Sequence, residues 1–232
     1  MGKNMKNIIC TICARGGSEG VKGKNIRLIN NKPLLAYTIE QAIKSELFEC
    51  IAVSSDSEAI LEVAATYGAD FLIRRPNKLA TSQAPKLPVI RHCVEEVEKN
   101  IGKKFEVCVD LDATSPLRCI NDIRSTVSML EDRKVGNIIT ASPARRSPYF
   151  NLIELRDDGV PKLSKPPLEQ INRRQDSPQC FDMNASIYVW RREKLFSSES
   201  LFSDETRLYV MPEERSIDID SEFDFKIVSY LL

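Results

Sequence analysis

The chain has 232 residues, with 33 basic and 33 acidic side chains and a formal charge of zero. That balance leaves no electrostatic footprint for nucleic acid, and no apolar run approaches the ~20 residues of a membrane span. With 42% hydrophobic and 28% charged residues, the composition is that of a soluble cytoplasmic enzyme, one α/β domain in size. Seven cysteines are present. Cys10 and Cys13 have CxxC spacing, but they fall on one predicted strand, face opposite sides, and lack the second pair of a zinc site. Reduced, buried thiols are expected.

Residues 8–14 form an apolar run of the length and type of a strand buried on both faces. Asn30-Asn31-Lys32-Pro33 reads as a turn before a helix that carries Leu34, Leu35, Ile39 and Ile43. A second buried strand covers residues 50–54. Ser55-Asp56-Ser57 supplies N-cap chemistry for a helix over 58–67, which Gly68 ends. A short strand at 70–73, a helix over about 89–98 and a strand at 105–111 follow. A helix near 121–130 and a strand at 137–142 complete the alternation. Such alternation predicts a mostly parallel, Rossmann-like sheet with right-handed crossovers. Ligands then gather at the carboxyl ends of the strands. Residues 145–181 break the pattern as an insertion of short strands and loop. Strands at 183–190 and 208–211 and a helix over 221–232 close the chain. His92 and Trp190 read as structural.

Three constellations carry chemistry. The first is Ala14-Arg15-Gly16-Gly17-Ser18-Glu19-Gly20, followed by Lys22, Lys24 and Asn25, directly after the first strand. Glycines there turn backbone N–H groups into one concavity, and the cations suit phosphate oxygens. It is not a P-loop, because five residues rather than four separate Gly17 from Gly23 and Asn25 follows Lys24. Read alone, it is as consistent with a charged surface loop as with a phosphate site. The second is Ile217-Asp218-Ile219-Asp220-Ser221-Glu222. In an extended segment Asp218 and Asp220 share a face, and two such carboxylates suit a hard cation, Mg²⁺. A solvated strand end, with Ser221 capping the last helix, is the plainer alternative. The third is Asp110-Leu111-Asp112-Ala113-Thr114-Ser115-Pro116-Leu117-Arg118, at the end of a strand. Asp112 there either recognises a ligand as an acceptor or merely caps the turn.

The order Ala-Arg-Gly-Gly-Ser-x-Gly-x-x-x-Lys-Asn, with Thr-Ser-Pro-Leu-Arg and Ile-Asp-Ile-Asp-Ser-Glu further on, resembles the acylneuraminate cytidylyltransferases (CMP-sialic acid synthetases). The resemblance runs over nearly the whole chain. It implies a single nucleotidyltransferase domain of the nucleotide-diphospho-sugar transferase type, with 145–181 as a dimerisation and sugar-site arm. It implies nucleotide contacts from Ala14, Arg15, Gly16, Ser18, Lys24, Asn25 and Ser82, and Asp218 and Asp220 as Mg²⁺ ligands. Sugar contacts are implied for Asp112, Thr114, Ser115, Arg174, Asn184 and Tyr188. Glu19, where the family has Lys, and Asp112, where many members have Gln, are departures. Cys-Ala-Arg-Gly-Gly-Ser, Asp-Leu-Asp-Ala and Asp-Met-Asn-Ala-Ser-Ile-Tyr look most like the CMP-legionaminic acid synthetase subgroup. The implied reaction is CTP plus a nine-carbon 2-keto sugar acid giving the CMP-sugar and pyrophosphate in a homodimer. Arg15 and Lys24 would neutralise the leaving group. N-acetylneuraminate, pseudaminate or an octulosonate remain alternative sugars, and a binding protein without catalysis remains an alternative class.

Overall fold

In the computed structural model, residues 7–17, 20–131, 134–167 and 173–232 are described. The first strand, β1 (Ile8–Cys13), leads through a glycine loop to a two-stranded hairpin, β2 (Leu28–Ile29) and β3 (Lys32–Pro33). Asn30 and Asn31 turn that hairpin at φ of 49° and 61°. Asparagine tolerates this left-handed pair, which matches the twist of the flanking strands. The wound core follows: α1 (Leu34–Ser45), β4 (Cys50–Ser55), α2 (Glu58–Thr66), β5 (Phe71–Arg74), α3 (Lys86–Ile101), β6 (Val107–Leu111), α4 (Ile120–Met129) and β7 (Asn137–Pro143). The last part holds a small pair, β8 (Ile153–Leu155) and β9 (Pro161–Leu163), then β10 (Phe181–Arg191), α5 (Arg192–Ser197), β11 (Thr206–Val210) and α6 (Glu222–Leu231).

The central sheet has seven strands in the order β5-β4-β1-β6-β10-β7-β11. β10 alone runs antiparallel, paired to β6 and β7; the other neighbouring pairs are parallel. The chain builds outward from β1 to β5, then α3 carries it back to β6 on the other side of β1. Strand order therefore reverses between β1 and β6, and their carboxyl ends open the crevice where ligands enter such sheets.

Both faces of the sheet are covered. Ile8, Cys10 and Ile12 pack with Leu35 and Ile39 of α1, Ile60 of α2 and Ile123 of α4. Ile9 packs on the opposite face with Ile90 and Val94 of α3 and Leu195 of α5, and Cys13 packs against that same cluster. The CxxC pair thus straddles the sheet, and all seven cysteines are free thiols. A third cluster joins Val21 of the glycine loop, Ile29, Ile219 and the apolar face of α6 through Phe225 and Val228. This cluster fastens the glycine loop and the Ile-Asp-Ile-Asp segment to the same support. Ser221 caps α6 in a reciprocal box with Asp224.

β10 is irregular where it passes the crevice. Its register shifts between Met183 and Tyr188, and Ala185 sits at φ 51°, a left-handed conformation that costs energy for a residue with a Cβ. The bulge turns the carbonyls of Asn184 and Ser186 toward the loop after β6, where Ser115 Oγ, Asp112 N and Arg118 Nη1 meet them.

Candidate active site

The crevice is a cleft of about 340 Å³. One wall is the glycine loop, with Arg15, Gly20, Lys24 and Asn25; the opposite wall is the polar turn that precedes α3, with Thr81 and Ser82. Asp112 and Thr114 come from the end of β6, and Asp218 and Asp220 from the segment before α6. Segments far apart in sequence are pinned together here. Asn25 Nδ2 donates to the Arg15 carbonyl at 3.0 Å and so closes the loop on itself. Ile219 N donates to the Thr114 carbonyl at 3.0 Å. Lys24 Nζ donates to the Ile219 carbonyl and lies 3.4 Å from Asp220 Oδ1. Ile219 itself is fully buried, so it acts as a peg that turns the flanking carboxylates to the cleft.

The cleft floor is a charged cluster. Lys86 Nζ stands 2.8 Å from Asp112 Oδ2 and 3.2 Å from Asp110 Oδ2. Burial opposes the Lys86 charge, but Asp112 and Asp110 outweigh it and hold the ammonium well above its ordinary range. Burial likewise works to raise Asp112; Lys86 and the two Thr114 hydrogen bonds reverse this and keep the carboxyl well below its ordinary range. Beneath them Arg118 is buried, and burial lowers its guanidinium to about 10.

Asp218 is in the opposite condition. Burial, then repulsion from Asp112 and Asp220, pushes its carboxyl up to about 6, while Thr114 and Lys24 pull the other way. Its Oδ1 is buried without a hydrogen-bond partner. Among the described residues no three acidic, histidine or cysteine side chains form a metal cage. Two carboxylates with an unsatisfied oxygen still fit Mg²⁺, which takes one or two protein carboxylates and completes its shell with phosphate and water.

Sequence comparison meets this geometry directly. A family described as Cytidylyltransferase matches residues 9–225. The chain belongs to the cytidylyltransferase family. This cytidylyltransferase is 46% identical over 228 residues to the CMP-N,N'-diacetyllegionaminic acid synthase of Campylobacter jejuni, covering 98% of this chain and 96% of the relative. It is 45% identical, with the same coverage, to the post-translational flagellin modification protein B of Campylobacter coli. The N-acylneuraminate cytidylyltransferase of Escherichia coli is 33% identical over 95% of this chain and 51% of its own length. The structure of CMP:2-keto-3-deoxy-manno-octonic acid synthetase complexed with CTP superposes with a TM-score of 0.67 over 97% of both chains, at 15% identity. That likeness shows the shared fold.

Of the residues singled out from the sequence, Arg15, Lys24, Asn25, Ser82, Asp112, Thr114, Asp218 and Asp220 all line this cleft of the cytidylyltransferase. Ser18 and Glu19 lie outside the described residues. Ala14 is buried. Gly16 N donates to Asp56 Oδ1 at 2.9 Å, so Asp56, expected near a helix cap, braces the glycine loop instead. Lys22 is exposed on the loop. Ser115 and Tyr188 are buried behind the floor. Asn184 is engaged within the protein: Oδ1 accepts from Thr140 Oγ1 at 2.7 Å and from Ser186 N, and Nδ2 donates to Ser216 Oγ at 3.0 Å. Arg174 lies apart, donating to the Ala144 carbonyl, and lines a second cleft of about 480 Å³ with Arg146 and Gln179.

Two cations of the cleft escaped the sequence reading, Lys86 and Arg75. Arg75 is buried, with Nε and Nη2 bonded to Ser54, and lines the cleft beside Leu79. An arginine followed by proline gives no local signal of this, since only β4–β5 pairing brings it inward. Gly20 has a sharper requirement. A Cβ there would stand 2.0 Å from the Asp220 carbonyl oxygen, a backbone atom that cannot swing aside. Gly20→Ala therefore pushes the glycine loop away from the segment that carries Asp218 and Asp220, and we expect kcat/KM to fall about 100-fold, as for small misplacements of reacting groups. Unchanged kinetics would show that the loop closes elsewhere.

Proposed function

We propose that this cytidylyltransferase joins CTP to a nine-carbon 2-keto sugar acid of the legionaminic type, giving the CMP-sugar and pyrophosphate. The observation that carries the reading is the convergence of a cationic glycine loop, a paired-carboxylate segment and a charged floor in one cleft at the switch point. The names of the Campylobacter relatives direct the choice of sugar.

Arg15 and Lys24 bind the β- and γ-phosphates and offset the charge that gathers on the leaving pyrophosphate. Ser82 and Arg75 hold the nucleoside end. The anomeric hydroxyl of the sugar acid attacks the α-phosphorus in line, the α–β bridging bond breaks, and pyrophosphate departs. The hydroxyl proton passes to one of the two aspartates. Asp218 and Asp220 would hold Mg²⁺, which when bound supplies charge neutralisation at the α-phosphate and a more acidic attacking hydroxyl. Asp112 and Thr114 face the sugar from the floor. Ser115, Asn184 and Tyr188 shape that floor from behind.

The β8–β9 pair presents Ile153, Leu155 and Val160 to solvent, with Leu155 71% exposed. We assign this arm to a second copy of the chain, in a homodimer that also carries Arg174 toward the sugar carboxylate. No helix of the described chain is long and apolar enough to cross a membrane. Its free thiols fit a reducing cytoplasm.

The test is pyrophosphate release with CTP, Mg²⁺ and legionaminic, N-acetylneuraminic and pseudaminic acids, each component omitted in turn. Release that needs CTP and is fastest with legionaminic acid is expected. Faster release with another acid would reassign the sugar, and CTP binding without any release would sink the catalytic reading.

A further inference from the structure

Lys86 has no part in the mechanism above, yet its position is tightly set. It is the first residue of α3, after Pro85, and its ammonium crosses to β6. There it meets Asp112 Oδ2 at 2.8 Å and Asp110 Oδ2 at 3.2 Å, and it lies 4.4 Å from the centre of the Tyr188 ring on β10. Three elements thus hold one ammonium. Asp110 is closed from solvent at 1%, whereas the Lys86 and Asp112 side chains keep 25% and 22% of their surface, and both line the cleft.

The hydrogen-bonding capacity of Asp112 is nearly filled. Thr114 N and Oγ1 donate to Asp112 Oδ1 at 3.1 and 2.8 Å, which occupies both lone pairs of that oxygen. Oδ2 keeps one lone pair beyond the Lys86 bond. Lys86 donates one of its three protons to Asp112 Oδ2, while Asp110 Oδ2, 3.2 Å away, is an ion-pair partner that accepts no hydrogen bond. One acceptor on Asp112 and at least one donor on Lys86, on neighbouring atoms, remain for a ligand. The charge matters as well. Without Lys86 two adjacent carboxylates would face a triphosphate and a sugar acid, both anionic.

We infer that Lys86 is a specificity-determining residue, which with Asp112 forms a donor–acceptor clamp for a neutral hydroxyl of the sugar acid. A hydroxyl donates its proton to Asp112 Oδ2 and accepts from Lys86 Nζ at a single oxygen. An acylamino group has its N–H and C=O on opposite sides of a trans amide, so it satisfies only one of the two. The inference rests on the cytidylyltransferase reading above and names what its floor recognises.

Steady-state kinetics of the unaltered enzyme, Lys86→Met and the double variant Lys86→Met with Asp112→Asn test it. CTP would be paired with two sugar acids that differ by a hydroxyl against an acylamino group at one carbon. For both variants we expect KM for the hydroxyl-bearing acid to rise at least tenfold, KM for CTP to stay within twofold, and preference between the acids to vanish. Both variants leave the buried Asp110 without its cation, so Asp112→Asn alone, which keeps Lys86 against Asp110, gives the answer where they fail to fold, and the same loss of preference is expected of it. Retained preference, or CTP and sugar KM values rising together, would overturn the assignment in favour of a purely structural lysine. Silence of the unaltered enzyme with every sugar acid, while CTP still binds, would instead overturn the underlying reading and this inference with it.

Discussion

Asp218→Asn combined with Asp220→Asn lowers kcat for pyrophosphate release by at least about 1,000-fold, the upper range for loss of one preorganised electrostatic group. The fold survives. Asp220 is 79% exposed and makes one long ion pair with Lys24, so its replacement removes little support. Asp218 has a buried oxygen without a partner and a carboxyl pushed up to about 6 by burial. A group whose pKa is raised on folding loses its favourable contribution as pH climbs from its ordinary value to the raised one. At pH 7 the ionised side chain therefore opposes folding, and Asp218→Asn alone leaves Tm unchanged or higher when metal is absent. Mg²⁺ with CTP reverses the order, because a ligand that binds only the native state stabilises it by mass action. Thermal melts with and without that combination separate the two effects. A destabilised Asp218→Asn protein, or a double variant that keeps turnover, would refute the metal assignment. The inverse relation between stability and activity is what a strained functional site predicts.

What could be read from the sequence depended on how local each signal was. β1 and the glycine loop form one continuous pattern, and so do Asp218, Ile219 and Asp220, where alternation alone turns two carboxylates to one side. The structure adds why the alternation holds: Ile219 is buried in the cluster that supports α6. Helix ends moved where tertiary packing extended a weak pattern. α3 begins at Lys86 rather than near Val89, since Leu87 also enters the core beneath β4 and β5. α5, from Arg192 to Ser197, was not expected; six residues are too few to show a period. Lys86 itself looks like any solvated lysine, because its carboxylates arrive from 24 and 26 positions away through the pairing of β1 with β6. Asn184 shows the converse. The resemblance implies a sugar contact for it, and next to the bulge at Ala185 its side chain is bonded within the protein to Thr140, Ser186 and Ser216. No spacing rule signals a bulge of that kind.

Arg118→Met lowers unfolding stability by about 4 kcal/mol, the range for stripping a buried charged donor from several acceptors. The guanidinium is 2% exposed. It donates to the carbonyls of Ser115 and Ser186 at 3.0 Å each, to Thr38 Oγ1 at 3.2 Å and to the Asp112 carbonyl. Those acceptors belong to the loop after β6, to the β10 bulge and to α1, so one side chain bridges the floor of the cleft to the strained strand beside it. Methionine fills much of the volume but takes the Arg118 bond from the Ser115 carbonyl and leaves the Ser186 and Asp112 carbonyls with one donor each, Asp112 N and Thr38 Oγ1, where water has little room. Arg118→Lys recovers only a small part, because an ammonium has three protons on one atom and cannot reach acceptors spread around a planar fork. Urea titration measures the loss as a lower midpoint at constant slope. The same variants carry a kinetic signature. Relaxation of the loop displaces Asp112 and Thr114 together, so kcat falls further than the remaining folded fraction accounts for. A loss below about 1 kcal/mol would mean that the carbonyls find water; the bulge at Ala185 would then be held by β6 and β7 alone.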